Sequence, residues 1–92
     1  MRDFLVHNRQ DNVGVAVVDL EPGREAHGVL LDSGSAIQVE VRQPVPLGHK
    51  IALKDFKVGD TVMKYGEDIG RVVVDIEKGD HVHVHNLKTK RW

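Results

Sequence analysis

A ten-residue segment of this chain recurs with six of its ten positions identical. Gly14-Val15-Ala16-Val17-Val18-Asp19-Leu20-Glu21-Pro22-Gly23 lines up with Gly70-Arg71-Val72-Val73-Val74-Asp75-Ile76-Glu77-Lys78-Gly79, and Asp55-Phe56-Lys57-Val58-Gly59 repeats the Asp-apolar-x-x-Gly core. In each copy an apolar residue follows the glycine by three positions. The pattern reads as a strand ending in a tight turn: the aspartate accepts backbone N–H bonds, the apolar residue anchors inward, and glycine supplies a positive φ. Three such turns in 92 residues restrict the chain to short strands folded back about pseudo-symmetric turns.

Composition agrees. Valine occurs sixteen times and isoleucine four, against seven leucines and four aromatic residues. β-Branched side chains lose rotamer freedom in a helix and pack well on a pleated surface. No apolar pattern keeps helical spacing over three turns, which leaves at most one short helical turn around Leu53–Phe56. Strands are expected over Asp3–His7, Asn12–Leu20, His27–Leu31, Ile37–Val41, Lys50–Leu53, Thr61–Lys64, Ile69–Ile76 and His81–Asn86. The apolar run Val15–Val18 implies burial on both faces. Val15, Val17, Ile51, Leu53, Val73 and Ile76 are thus expected in the core, with Leu20 and Phe56 anchoring their turns. Residues 1–87 form one domain and Lys88–Trp92 a basic tail.

Thirteen basic against fourteen acidic residues give a formal charge of −1, which removes the electrostatic case for nucleic acid or an anionic membrane. Without cysteine there is no disulfide, thiolate zinc site or cysteine-held cluster. Apolar stretches of four residues are too short for a membrane span or a secretion signal. A cytoplasmic protein is the expectation. A domain this small has a thin core, so help from sheet closure, homo-oligomerisation or a partner is expected.

His81, His83 and His85 alternate with Val82 and Val84. On a strand, i, i+2 and i+4 share one face, with successive Cα atoms about 6.5–7 Å apart. The strip reads in three ways: a solvated face opposite two buried valines, a substrate-contacting face in a complex, or a metal site. No self-contained metal site is assigned to the isolated chain. His49 and Lys50 pair a proton-transfer group with an anion anchor, or form an ordinary polar loop. Asp11, Asn12 and Tyr65 lie in turn-like contexts.

In order along the chain, Asp11-Asn12-Val13-Gly14-Val15-Ala16, Gly48-His49-Lys50-Ile51-Ala52-Leu53-Lys54-Asp55, Lys64-Tyr65-Gly66 with Ile69-Gly70, and His81-Val82-His83-Val84-His85-Asn86 resemble the N-terminal module of the altronate/galactarate dehydratase family. The resemblance covers Phe4 to about Thr89. It implies an all-β SAF-type β-clip of short strands, here with an internal pseudo-two-fold repeat. In this family the module accompanies a large catalytic domain that binds iron or another divalent metal, and the enzymes eliminate water from sugar acids. The related (2R)-sulfolactate sulfo-lyases eliminate sulfite and carry the module as a separate small α subunit, the form this chain most resembles.

The resemblance implies a small subunit, or an N-terminal domain, of a metal-dependent hydroxy-acid lyase that covers or completes the active site of a large catalytic partner. The metal is expected in that partner and the substrate is a small anionic hydroxy acid. His49, Lys50, His83, His85 and Asn86 become the substrate-facing candidates, with Asp11, Asn12, Tyr65 and His81 behind them. No individual catalytic role is assigned. The competing expectation is a non-catalytic β-clip module that binds carbohydrate or protein. A generic β-clip has no need of a His-x-His-x-His-Asn segment, and that segment discriminates between the two.

Overall fold

The computed structural model describes residues 2–89. It has nine strands: β1 (Phe4–Val6), β2 (Val13–Ala16), β3 (Glu25–Leu30), β4 (Ala36–Glu40), β5 (Lys50–Ala52), β6 (Thr61–Lys64), β7 (Glu67–Val72), β8 (His81–Val82) and β9 (Leu87–Lys88). One sheet runs β4-β3-β1-β2-β5-β8 and a second runs β6-β7-β9. Only the β1–β3 pairing is parallel; the other strand pairs are antiparallel. The architecture is the all-β, β-clip-like arrangement expected. Leu53–Phe56 makes a bend into an isolated bridge rather than a helical turn, and no helix occurs among the described residues.

The turn motif builds both halves of the molecule. Leu20 bridges Val45, and Phe56 bridges Ile76. Val45 belongs to a fourth copy, Pro44-Val45-Pro46-Leu47-Gly48, whose proline stands where the other copies carry aspartate. The four glycines Gly23, Gly48, Gly59 and Gly79 have φ of 89°, 86°, 97° and 94°. Within each pair the wiring is the same. Gly23 and Gly48 donate to the carbonyls of Val41 and Ala16, and Gly59 and Gly79 donate to those of Val72 and Ala52. Each acceptor lies four residues before the partner's anchor.

The motif aspartates accept from the facing turn rather than from their own. Asp19 accepts from Leu47 N–H, Asp75 from Val58 N–H and Asp55 from Lys78 N–H. The fourth such bond would join Pro44 to Pro22, where both the acceptor side chain and the donor N–H are absent. Acceptor and donor are lost together, so neither is left orphaned.

Burial follows the same frame. In each copy the anchor, the residue four before it and the residue six after it are all buried: Ala16, Leu20 and Ala26; Val41, Val45 and Ile51; Ala52, Phe56 and Val62; Val72, Ile76 and Val82. The first two triplets lie in one core cluster with Phe4, Val6 and Val39, and the last two lie in a second with Val13. The duplicated sequence thus folds into two hydrophobic cores, each organised on one facing pair of turns.

Several expected core residues are elsewhere. Val17 is 37% exposed and Val73 38%, while Val15 and Leu53 are only partly buried. Strands β2 and β7 end at Ala16 and Val72, and the chain bends before its anchor. The bend breaks strand alternation, so the apolar runs 15–18 and 72–74 are not buried on both faces. Lys88, placed in the tail from sequence, lies in β9 opposite Arg71. The rest of that tail, residues 90–92, lies outside the described residues. No helix among the described residues is long and apolar enough to cross a membrane.

Candidate functional site

Strands β5 and β8 pair with Lys50 opposite Val82 and Ile51 opposite His81. Directly opposed residues share a face in an antiparallel ladder. Ile51 and His81 therefore face the same way, and His49 and His83, each two residues away along its own strand, lie on that face as well. Carried one step past the strand ends, the register sets His49 opposite His83. Their ring centroids are 4.3 Å apart. His49 also reaches His81, with Nδ1 and Nε2 2.9 Å apart. His81 and His83 stack nearly parallel, 5.4 Å between centroids and 12° between planes.

β8 stops at Val82, and the expected strand through Asn86 is instead a turn. Asn86 is the reason. Its Oδ1 accepts from His83 N–H at 2.9 Å and its Nδ2 donates to the His81 carbonyl at 2.8 Å, while the Asn86 and Leu87 amides both donate back to the His83 carbonyl. Asn86, expected to face substrate, is 5% exposed, and its side chain clamps the backbone of this turn. The turn also places Val84 in solvent at 66% exposure, against the buried position expected for it. His85 nonetheless returns to the cluster, 5.3 Å from His81 by ring centroids.

Burial first, and then the neighbouring His49, His85, His83 and Lys50, push the pKa of His81 down to about 4. Burial also lowers His83, with smaller contributions from His49, Lys50 and His85. Lys50 is lowered by its own burial and by the charge of Lys64. These groups crowd one another with no carboxylate among them, which disfavours the protonated forms of His81 and His83. His49, His81 and His83 can each offer a ring nitrogen, with all three atoms within 4.8 Å of one another.

Three of the weaker candidates, Asp11, Asn12 and Tyr65, meet at the β6–β7 hairpin. Strands β6 and β7 meet at Tyr65-Gly66, where φ is 56° and 73°, the positive pair that a two-residue hairpin of the primed type requires. Asp11 is buried, and its carboxylate accepts from Tyr65 N–H at 2.8 Å and Gly66 N–H at 2.7 Å. Asn12 accepts from Met63 N–H and donates to the Thr61 carbonyl. Both side chains therefore hold the hairpin. The exposed Tyr65 ring packs against His7, 4.2 Å between centroids, and beneath the Lys64 ammonium.

The residues brought together are thus His49, His81, His83 and His85, from the two ends of one strand pair and the turn that follows, while Lys50, opposite Val82 on the other face of the pair, acts on His81 and His83 through its charge. Spacing within one strand put the three histidines in a row. The contribution of His49 depends on the β5–β8 register, which nothing in the local pattern reveals.

The chain is 50% identical over 91 residues to the (2R)-sulfolactate sulfo-lyase subunit alpha of Chromohalobacter salexigens, covering 98% of this chain and 97% of that one. It is 53% identical over 64 residues to the subunit of the same name from Paracoccus pantotrophus, covering 70% of this chain and 96% of that one. The altronate dehydratase of Bacillus subtilis is 39% identical over 89 residues, 97% of this chain but 17% of that enzyme. The altronate/galactarate dehydratase SAF domain family is matched across residues 2–90, and the chain belongs to it.

Proposed function

We propose that this chain is the small subunit of a β-eliminating hydroxy-acid lyase of the (2R)-sulfolactate sulfo-lyase type, and that it completes the active site of a large catalytic partner. The observation that carries this reading is the convergence of the His49, His81 and His83 imidazoles, in a chain alike nearly end to end to a protein named as subunit alpha of that lyase.

β-Elimination from a 2-hydroxy acid removes a proton from the carbon next to the carboxylate, while a leaving group departs from the next carbon. The substrate is anionic at both ends. Imidazoles donate and accept hydrogen bonds, and an ammonium attracts a carboxylate or sulfonate. In this reading His49, His81, His83 and His85 face the substrate, Lys50 adds positive charge from the neighbouring face, and Asn86 fixes the turn that aims His83 and His85. A divalent metal in the large partner would act as Lewis acid on the substrate oxygens.

The test is reconstitution. The large subunit is assayed for sulfite release from (2R)-sulfolactate with this chain present, absent, or carrying His85→Ala. Activity is expected to need both chains. His85→Ala should lower turnover at least about tenfold with complex formation retained. A large subunit fully active alone, or a chain that never joins it, would return the case to a plain binding module.

A further inference from the structure

The nitrogens of His49, His81 and His83 converge without a carboxylate or thiolate among them. Two of them already touch, His49 Nδ1 and His81 Nε2 at 2.9 Å. The third ring holds an unusual atom: His83 Nδ1 is buried with no hydrogen-bond partner, alone in this respect among the described residues' side chains. Buried polar atoms are nearly always satisfied, and an orphan calls for a partner that the protein atoms do not supply.

We propose that His49, His81 and His83 form a three-imidazole site for a divalent transition metal ion on this chain itself. Two nitrogens bound to one ion at about 2.1 Å each lie no more than about 4.2 Å apart. The present spread of 4.8 Å therefore closes by side-chain rotation without moving the strands. The hydrogen bond between His49 and His81 does not oppose this. If those facing nitrogens take the ion, the shared N–H proton moves to the other nitrogen of the same ring, a tautomer change with no net proton lost.

The donor set selects the ion. Imidazole suits zinc, cobalt, nickel, copper and ferrous iron, whereas magnesium and calcium want oxygen ligands. Three protein nitrogens on a four-coordinate ion leave one position open, the arrangement of a catalytic rather than a structural site. His85 lies beside His81, 5.3 Å between ring centroids, outside the three-nitrogen set. Metal binding here uses the same imidazoles as the proposed substrate face but does not rest on the subunit reading. It is measured on this chain alone, so its failure leaves complex formation standing, and the reverse.

The full chain, stripped with chelator, is titrated with Zn²⁺ by calorimetry and with Co²⁺ by visible absorption, with Mg²⁺ as a control. One equivalent of Zn²⁺ per chain is expected, with a melting temperature that rises with Zn²⁺ by linkage. His49→Ala and His81→Ala should each weaken Zn²⁺ binding about a hundredfold or more, while His27→Ala, an exposed ring outside the cluster, leaves it unchanged. Far-UV circular dichroism beside each titration separates a lost fold from a lost ligand, and His81→Gln carries the test if His81→Ala does not fold. No saturable Zn²⁺ binding by the folded chain, or binding that survives in the His49→Ala/His81→Ala double variant, overturns the proposal.

Discussion

The Nδ1 atom of His49 lies 2.9 Å from the Nε2 atom of His81, across 32 residues of chain. Neither residue makes this contact by local structure. It follows from the β5–β8 register, which sets Ile51 opposite His81 and so places position 49 diagonally across the ladder. One of the two facing nitrogens must accept, so at least one of the rings is neutral whenever the bond is made. A contact between two imidazoles that disfavours protonation is poorly suited to a solvated surface and well suited to a site that needs free lone pairs.

Replacing Asn86 is expected to harm stability before it harms chemistry. Its side chain satisfies the His83 amide and the His81 carbonyl from a buried position. Asn86→Ala should cost about 1–3 kcal/mol, the price of leaving buried backbone groups unpaired. A urea denaturation curve reads this directly, and an unchanged midpoint would contradict the clamp.

Val82 and Val84 should respond in opposite ways. Val82 is fully buried and Val84 largely exposed. Val82→Ala is expected to cost about 1–3 kcal/mol through the cavity it leaves, and Val84→Ala to stay within about 0.5 kcal/mol. Equal losses at both positions would restore a straight strand through Asn86.

The turn glycines offer a graded test. Gly59 has φ of 97° with open space where a Cβ would sit, whereas a Cβ on Gly79, at φ 94°, would run into the Glu40 carbonyl oxygen. Gly59→Ala should cost about 1–2 kcal/mol for left-handed backbone alone. Gly79→Ala should cost clearly more, because Glu40 backbone must also move. Thermal melts of the two variants decide it.

Acid should weaken the fold through Asp3. Burial by itself raises this carboxyl's pKa, but the His27 amide at 2.8 Å and the Arg24 guanidinium at 2.7 Å outweigh it and hold it below the ordinary 3.8. A folded pKa below the unfolded one means that the native state binds fewer protons. The stabilisation is therefore full above about pH 3.8 and is lost as pH falls through the folded value. Asp3→Asn should be less stable than wild type at neutral pH, with the gap shrinking below pH 3.8, as denaturation midpoints across the acid range would report.

The class of fold, the spacing of the turns and the anchors Leu20, Phe56 and Ile76 are legible in the residue pattern, because a glycine at positive φ and an inward apolar residue are local requirements. That pattern also carried the family, through an ordered set of short motifs. It hid the fourth turn, because Pro44 replaces the aspartate that marks the others, and that loss is tolerated only because the facing amide is Pro22. Which valines are buried depends on the folded chain, since Val17 and Val73 lie where it bends out of its strand. The tertiary structure also decided that Asp11 and Asn86 serve the backbone, and that His49 joins His81 and His83. Those outcomes depend on pairings between residues far apart in the chain, and local side-chain pattern holds no record of a partner's register.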